Sequence, residues 1–316
     1  MTVACGSSAH GGRESSTLGG GNAAALRLVG LPPLMERTAG SADVVIGLID
    51  GPVVLDHPDL PGDNMREVPG ARAAACGRTD SAACVHGTAV AGILGARRGS
   101  SAPAVSPGCT LLIRPIFVDS APGKEVASAT PEELASAILD CLQAGARVLN
   151  VSSALVEPAF GGDRRVQEAL DRAAVLGAVV VAAAGNQASI GRSAITGHPA
   201  VLPVVACDAK GRVLGQSNLG SSIGRRGLSA PGDEILTLGT DGRLSRLSGT
   251  SAAAPFVTGT IALLMSTSYA SAVQARSAVT QAGRGRRTSV VPPLLDAAAA
   301  YEALRRTPTA ERRAYR

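Results

Sequence analysis

Aromatic residues are the scarcest class in this 316-residue chain, which has no tryptophan, three phenylalanines and three tyrosines. Hydrophobic residues nevertheless make up 45% of the chain, and glycine occurs 38 times. A core without many aromatic rings must be built from alanine, valine, leucine and glycine, which suits strands and helices packed in close layers. The length allows a sizeable core, in one large domain or in two.

The sequence also lacks a targeting segment. Its first 22 residues, MTVACGSSAHGGRESSTLGGGN, contain no apolar stretch of the kind that forms a secretory signal. No run approaches the roughly 18 apolar residues of a membrane helix. We therefore expect a protein that acts in the cytoplasm and has no membrane partner.

Closely spaced cysteine pairs and metal-ligand clusters are missing as well. The six cysteines are scattered without a C-x-x-C pair, and no His, Cys and Asp residues have the spacing of metal ligands. Cys76 and Cys84 could bridge a loop, but without a secretion signal we favour reduced thiols. The sequence predicts no metal and no cofactor.

Acidic residues are few in the last part of the chain. The net charge is +5, yet nine arginines and three acidic residues follow Tyr269, so this tail carries +6. Such a tail could hold nucleic acid or an acidic peptide. Few aromatic residues accompany the arginines, and no nucleic-acid or phosphate-binding motif occurs. We favour a solvated basic tail and expect no nucleic-acid partner.

The chain does contain a regular alternation of apolar strands and helical patterns. This alternation indicates an α/β fold, a mostly parallel sheet with helices on both faces. We predict a disordered arm over 1–25, one domain over 26–300 and a basic tail over 301–316. The predicted strands are 43–50, 109–117, 147–154, 179–186, 200–208 and 234–239, and the predicted helices are 86–96, 130–146, 164–178 and 252–268.

Several polar side chains lie at the ends of apolar strands or at the starts of helices, where an α/β fold places its reactive groups. Asp50 closes an apolar strand, His86 opens a helix, and Ser251 begins the long apolar helix. A buried carboxylate needs a donor such as an imidazole N–H, and Asp, His, Ser is one of the known chain orders of a catalytic triad. Asn186, at the end of another strand, offers a side-chain amide to a developing oxyanion. Together these residues predict nucleophilic catalysis, although each alone could be structural.

Four segments, in this order, resemble the subtilisin-like serine peptidases, or subtilases: VVIGLIDGPVVLDHPDL, HGTAVAGILGA, VVVAAAGN and LSGTSAAAPFVTG. The resemblance implies a three-layer α/β sandwich, a serine endopeptidase and a peptide or protein substrate. By position it implies that Asp50, His86 and Ser251 are catalytic and that Asn186 is the oxyanion residue. The substrate-binding residues that it implies are Asn150, Ser152, Ser153, Ala154, Ala183, Ala184, Gly185 and Gly197.

Shorter segments resemble the protease domains that mature cyanobactins by cutting ribosomally made precursor peptides: GLPPLMERTAG, LLIRPIF and HPAVLPVVACDAKGRV. Ring-closing members carry a helical insertion between the Asp and His motifs, and only 35 residues lie between Asp50 and His86 here. The resemblance therefore implies leader removal by hydrolysis. Two alternatives stay open: a catalytically silent scaffold in a peptide-modifying complex, and a general protease whose secretion leader is missing.

The chain departs from the subtilase pattern at several positions. Ala89 and Phe256 stand where the family has histidines that are not triad members. Asp59 matches a carboxylate that often binds structural calcium, but the loop ARRGSSAP, 96–103, carries two arginines, so we expect no calcium there. The 25 residues of the arm are far fewer than a separate inhibitory domain has, so we expect the chain to fold unaided.

Charge and size also suggest how a peptide would be chosen. Alanine and glycine around the first pocket would admit a medium or large apolar side chain. The arginines at 97, 98, 225 and 226 could attract acidic leader peptides over a distance by electrostatic steering.

Overall fold

The chain folds around a seven-stranded sheet in which every neighbouring pair of strands is parallel. The structure, a computed structural model, describes residues 3–4, 22–102, 104–117, 128–152, 154–155, 163–191, 193–268 and 270–306. Over these ranges the strands are β1 Val3–Ala4, β2 Val45–Asp50, β3 Met65–Glu67, β4 Thr110–Pro115, β5 Ser128–Ala129, β6 Val148–Val151, β7 Ala154–Leu155, β8 Val179–Ala183, β9 Val201–Cys207, β10 Leu228–Pro231, β11 Ile235–Leu238 and β12 Leu244–Leu247. The order in the sheet is β10-β9-β8-β6-β2-β4-β3, which confirms the predicted α/β class.

Helices cover both faces of this sheet. Over the same ranges they are α1 Ala23–Leu28, α2 Pro32–Arg37, α3 Ala82–Gly95, α4 Pro131–Gln143, α5 Arg164–Val175, α6 Ser221–Arg226, α7 Thr250–Ser268, α8 Ala272–Gln281 and α9 Ala297–Arg306. The buried apolar side chains of α7 and α8 and most of those of α3 belong to one hydrophobic cluster, and those of α4 and α5 belong to another. The sheet therefore lies between two helical layers.

The alternation of side chains along the strands produces the two clusters. In β2, Ile46 and Leu48 pack in the cluster with α3 and α7, whereas Ile49 packs in the cluster with α4 and α5. In β8, Val181 and Val180 divide in the same way. Successive side chains of a strand point to opposite faces, so a strand covered on both faces has to be apolar throughout. This requirement explains the uninterrupted apolar runs in the sequence.

Local capping signals decide where helices begin. Thr130 caps α4: its side chain accepts from the N–H of Glu133, whose carboxylate accepts in turn from the N–H of Thr130. This confirms the predicted start. Ser81 caps α3 by accepting from the N–H of Cys84, so this helix begins earlier than predicted. His86 consequently lies in the second turn and does not open the helix.

Other predicted boundaries need correction. The arm over 1–25 is not disordered throughout, because residues 3–4 form β1 and α1 begins at Ala23. The boundary at residue 300 falls inside α9, which continues to Arg306. The predicted strand 234–239 forms β11, but it pairs with β12 in an antiparallel hairpin outside the central sheet. A hairpin strand and a sheet strand share the same short apolar pattern, so periodicity alone does not separate them.

The helix α7 crosses the middle of the molecule. It has 19 residues. Among the described helices it is the one that is long and apolar enough, by length and composition, to span a membrane. We expected no apolar segment of this length. Inside the protein, however, 83% of its apolar window is buried. Small residues in its first turns let it pack directly against the sheet and α3. It is therefore the core helix of the fold.

Cys76 and Cys84 form a disulfide, which corrects the expectation of reduced thiols. Cys84 lies in the first turn of α3, and the N–H of Cys76 donates to the carbonyl of Val53. The bridge therefore joins the segment that follows β2 to the helix that carries His86. Cys109, Cys141 and Cys207 are free thiols in the described part of the chain, and all three are buried.

Candidate active site

A buried carboxylate and an imidazole meet at the carboxyl edge of the central sheet. Asp50 is the last residue of β2 and is fully buried, and His86 is 3% exposed. The Nδ1 of His86 lies 2.6 Å from Oδ1 of Asp50. An ionised carboxylate can only accept a hydrogen bond, so Nδ1 carries the proton of this bond and Nε2 is the basic nitrogen of the ring.

Gly87 allows α3 to approach the end of β2 so closely. A Cβ at this position would lie 2.5 Å from the carbonyl oxygen of Gly51, which no side chain can do unless the backbone shifts. Thr88 adds a hydrogen bond, in which its Oγ1 accepts from the N–H of Val54 at 3.0 Å. The H-G-T sequence therefore positions the imidazole by direct contact between the helix and the strand end.

Ser251 stands at the same edge of the sheet. It is the second residue of α7 and is 2% exposed. Its hydroxyl donates to the carbonyl oxygen of Ser152 at 3.3 Å. Ser152 directly follows β6, the neighbour of β2 in the sheet. The N-terminus of α7 directs backbone N–H groups and the positive end of the helix dipole toward negative charge that develops at this serine.

Asn186 is tied to the start of α7 through Thr250. The Oδ1 of Asn186 accepts from the N–H of Thr250 at 3.0 Å. The hydroxyl oxygen of Thr250 accepts from the N–H of Gly185 at 3.1 Å. Because the amide oxygen is turned toward α7, the NH₂ group is the end of this side chain that can donate to a substrate.

The glycine before Thr250 is required by the same arrangement. Gly249 has a φ of +110°, which L side chains rarely adopt. A Cβ there would also lie 2.6 Å from Nδ2 of Asn186. Gly249 therefore makes room for the asparagine amide beside the helix start. This accounts for the small residues around Ser251.

Asn218 holds the loop that carries Asn186, and sequence reasoning did not identify it. Its Nδ2 donates to the carbonyl of Ala184 at 3.1 Å, and its Oδ1 accepts from the N–H groups of Gln187 and Ser189 at 2.9 and 3.1 Å. An asparagine side chain can donate and accept at once, which suits it to bridge a tight loop. Asn218 lies in the segment SNLG, and no local sequence pattern links this segment to a loop that lies about 30 residues earlier in the chain.

We predicted that Asn150 lines the substrate cleft, but its side chain points into the protein. Its side chain is fully buried, its Nδ2 donates to Oγ of Ser152 at 2.7 Å, and its Oδ1 accepts from the hydroxyl of Thr258 at 2.8 Å. The residue joins β6 to α7 beneath the catalytic edge. It can influence a substrate only by positioning Ser152.

The predicted substrate strand continues from Ser152. Ser153 lies outside the described residues, and the backbone of Ala154 forms the start of β7. Ala183 and Ala184 are each 2% exposed, at and just beyond the end of β8, and Gly185 precedes Asn186. The structure therefore brings both predicted substrate segments to the edge that holds Ser251.

Gly197 lies in a loop that is held by an arginine. The Nη2 of Arg226 donates to the carbonyls of Thr196, Gly197 and His198 at 3.0, 3.1 and 3.1 Å. His198 is itself held, because its Nε2 lies 3.1 Å from Asp171. The role of Gly197 in a substrate pocket stays a prediction, and the structure shows that its loop is firmly anchored.

A second arginine occupies the loop where subtilases often bind calcium. Arg98 donates to the carbonyls of Met35, Thr38, Ala104 and Val105. Its positive charge thus lies among four backbone carbonyl oxygens. The absence of calcium stays a prediction, and no group of three or more His, Cys, Asp or Glu residues in the described ranges could hold a metal.

The electrostatic steering by arginines stays a prediction, because a guanidinium that is bonded to neutral carbonyls keeps its charge. Arg98 and Arg226 are engaged with backbone carbonyls, so their guanidinium groups serve the fold of two loops.

Ala89 and Phe256, which replace family histidines, are each 1% exposed in the core and do not enter the site.

The geometry supports acyl-transfer chemistry. A carboxylate orients an imidazole, a hydroxyl begins a helix at the same edge, and a side-chain amide lies beside that helix start. Such a set can deprotonate the hydroxyl, let it attack a carbonyl and stabilise the resulting oxyanion.

Several known proteins are similar to this chain. Residues 41–290 match the model of the subtilase family, peptidase S8. Subtilisin DY from Bacillus licheniformis is 31% identical over 230 residues, which are 71% of this chain and 77% of that protein. Fervidolysin from Fervidobacterium pennivorans is 30% identical over 267 residues, which are 76% of this chain but only 37% of that protein.

Solved structures give a closely matching fold. A mutant of the protease domain of PatA superposes with a TM-score of 0.78 at 31% identity, covering 84% of this chain and 96% of that one. The prenylagaramide maturation protease PagA gives 0.77 at 27% identity, covering 87% and 98%. The PatG macrocyclase domain, at 20% identity and a TM-score of 0.74, shares the fold alone.

Proposed function

The chain belongs to the subtilase family of serine endopeptidases, and on that premise we propose that Asp50, His86 and Ser251 form a triad that hydrolyses peptide bonds. The observation that carries the proposal is the buried bond of 2.6 Å between Asp50 and His86, at the edge where Ser251 begins α7. The site in the described residues needs no metal for this chemistry, because an imidazole supplies the base.

The proposed reaction begins when the hydroxyl of Ser251 leaves the carbonyl of Ser152 and gives its proton to Nε2 of His86. The serine oxygen then attacks the substrate carbonyl carbon, and Asp50 stabilises the imidazolium that forms. The amide of Asn186 and the N–H of Ser251 bind the oxyanion. The imidazolium protonates the leaving amine, and water activated by His86 hydrolyses the acyl-enzyme to release the acid.

We further propose that the natural substrate is a ribosomally made precursor peptide from which a leader is removed. This rests on the similarity to the patellamide maturation protease PatA and the prenylagaramide maturation protease PagA. A peptide of this kind would lie extended along Ser152 and β7. Such a role would place the enzyme in the cytoplasm, where precursor peptides are made.

Turnover of a peptide library tests the proposed activity. We expect cleavage products from the purified chain, none from Ser251→Ala, and a fall in kcat of about 10²–10³ for Asn186→Ala, which loses one oxyanion donor. Asn64→Ala, which removes an amide that donates to Pro107 far from the site, is the control and keeps its kcat. Equal turnover by Ser251→Ala and the unaltered chain would overturn the triad.

Substrate choice tests the precursor role separately. Cleavage at one or a few sites in leader-bearing peptides, with an unfolded protein such as casein left largely intact, supports maturation. Cleavage of casein at many positions would instead favour a general protease. A folded chain that cleaves neither substrate would favour the silent scaffold.

A further inference from the structure

A chain of buried hydrogen bonds connects the interior of α7 to the carbonyl that holds the hydroxyl of Ser251. Thr258 donates from its hydroxyl to Oδ1 of Asn150 at 2.8 Å, and Nδ2 of Asn150 donates to Oγ of Ser152 at 2.7 Å. The carbonyl oxygen of Ser152 accepts from the hydroxyl of Ser251. Thr258 and Asn150 are fully buried, and Ser152 is 1% exposed. The bonds begin and end on the same helix, so they close a ring.

The periods of helix and strand explain why this ring closes. Thr258 follows Ser251 by seven positions, which is almost two turns, so the two side chains lie on the same face of α7. Asn150 and Ser152 are two positions apart at the end of β6, a spacing that places both on one face of a strand. Val148, on that same face, packs in the cluster with α7. The helix therefore contacts the end of the strand at two points.

Ser152 stands just beyond the paired part of the central sheet. The last paired residue of β6 is Val151, which lies opposite Ile49 in β2 and Ala182 in β8. These pairings fix the backbone up to Val151. The bond that Asn150 donates to the side chain of Ser152 extends this support by one residue, to the carbonyl that accepts from Ser251.

The first turn of α7 has a particular need for such support. Pro255 lies inside the helix and has no N–H, so it cannot donate to the carbonyl of Ser251 four residues earlier. The turn that carries Ser251 thus has one helical bond fewer to the rest of α7. The ring through Asn150 and Ser152 ties this turn to β6 instead.

We propose that Thr258 is a positioning residue for the nucleophile: through Asn150 and Ser152, its hydroxyl fixes the carbonyl that orients the hydroxyl of Ser251. Without that hydroxyl, Oδ1 of Asn150 would be buried without its donor, which is costly, so the amide would rotate and release Ser152. The consequence for turnover rests on the proposed function, whereas the position of Ser152 does not.

Crystal structures test the positioning without any activity. Thr258→Val removes the hydroxyl and keeps the shape of the side chain. We expect the distance from Oγ of Ser251 to the carbonyl oxygen of Ser152 to grow from 3.3 Å to beyond about 3.6 Å, where no hydrogen bond remains. The control Thr260→Val removes an equally buried hydroxyl that donates to Phe256 within α7, and it should leave the distance unchanged. An unchanged distance in Thr258→Val would overturn the proposal.

Steady-state kinetics test the consequence. We expect Thr258→Val to lower kcat about tenfold and to leave KM within about twofold, a smaller loss than the roughly 10²-fold of a misplacement of about 1 Å. Thr258→Ser keeps the hydroxyl but not the methyl group, so it should restore kcat, a rescue that a packing role could not give. Thr260→Val should keep its kcat. Equal losses of kcat in Thr258→Val and Thr260→Val would reduce the role of Thr258 to stability and contradict the proposal.

A double-mutant cycle tests whether Thr258 acts through Ser152. Ser152→Ala removes the oxygen that accepts from Asn150. If the two residues act along one path, the double variant loses no more kcat than the weaker of the two single variants. Losses that multiply would show that they act separately and would overturn the proposal.

Two outcomes need their own reading. If Thr258→Val does not fold, Thr258→Ala, which also lacks the hydroxyl, takes its place in all three experiments with the same expected results. If even the unaltered chain cleaves no peptide, the proposed function fails, and the crystal structures still decide whether Thr258 positions Ser152.

Discussion

Two regions of the molecule keep their geometry by different means. Around the proposed catalytic side chains, glycines fit directly against their neighbours, as at Gly87 against the carbonyl of Gly51 and at Gly249 against the side chain of Asn186. In the loops that precede β4 and β9, the guanidinium groups of Arg98 and Arg226 each bridge several backbone carbonyls. At the glycines an added side-chain atom would clash with a neighbour. At the arginines, loss of the charged group would leave several carbonyls without their donor.

The two arrangements affect different properties. Contact at the glycines fixes the geometry of the site, whereas the arginines stabilise the folded chain. Steric contact limits the distance between Asp50 and His86, because the helix cannot come nearer or move away without repacking. A guanidinium holds several acceptors by charge-assisted hydrogen bonds and allows small shifts in each of them. We therefore expect added volume at the glycines to affect mainly turnover, and loss of an arginine to affect mainly unfolding.

The largest effect is expected from Gly87→Ala. Its added methyl would overlap the carbonyl of Gly51 and push α3 away from β2. Misplacement of a catalytic group by about 1 Å costs about 10²-fold in rate, so we expect kcat/KM to fall at least that far. Steady-state kinetics, with a folding check by circular dichroism, measure the loss.

Gly95→Ala is the matched control for this change. It lies in the same helix, but an added Cβ would meet only Leu111, at 3.7 Å, which is ordinary van der Waals contact. We expect its kcat/KM to stay within about twofold, with little change in stability because Gly95 is the last residue of α3. Equal losses in the two variants would show that crowding at Gly87 is not what positions the imidazole.

Arg98→Ala is expected to act on stability. Burial lowers the pKa of Arg98 from its usual value, but the guanidinium stays charged near neutrality and donates to four carbonyls. Loss of charged hydrogen bonds that leaves acceptors unpaired costs about 2–3 kcal/mol, which urea unfolding measures.

Arg97→Ala is the control for the arginine loop, because Arg97 is exposed and its change should stay within about 0.5 kcal/mol. In the unaltered chain we expect EDTA to leave the urea midpoint in place, since a guanidinium already binds the four carbonyl oxygens around Arg98. A clear EDTA-induced loss of stability would mean that a metal contributes and that Arg98 is not its substitute.

The smallest effect is expected at Cys207, whose thiol lies near the carboxyl edge of the central sheet. Cys207 ends β9, and burial, then the charges of Asp208 and Asp233, raise its pKa to about 12. A raised pKa keeps the thiol protonated below that pH, so at pH 8 about one molecule in ten thousand carries a thiolate. We expect iodoacetamide to modify Cys207 only after unfolding, as peptide mapping will show. Rapid labelling of the native chain at Cys207 would contradict its burial.

The sheet and its main helices could be predicted because buried parallel strands leave long apolar runs in the sequence. The capping residues Thr130 and Glu133 even located the start of α4. Predictions failed where a tertiary partner decides the outcome. Ile235–Leu238 reads as a sheet strand but pairs with its neighbour in a hairpin, and α9 continues past residue 300 because Leu304 is buried in the core.

The reacting groups of the proposed site were predicted from the sequence, and the residues that support them were not. Asp50, His86, Ser251 and Asn186 fall at the ends of recognisable segments, so their types and order pointed to the chemistry. Asn218 supports a loop distant in sequence, and no local pattern announces such a contact. Asn150 has the right position for a substrate residue, but the hydroxyl of Thr258 holds its side chain inside.

Labelling with a fluorophosphonate probe tests the central claim, that the chain assembles an activated serine. We expect one label per chain, mapped by mass spectrometry to Ser251, absent in Ser251→Ala and strongly slowed in His86→Ala. Ser266→Ala, near the other end of α7, should label normally. A folded chain that takes no label, or takes it at another serine, would contradict the account.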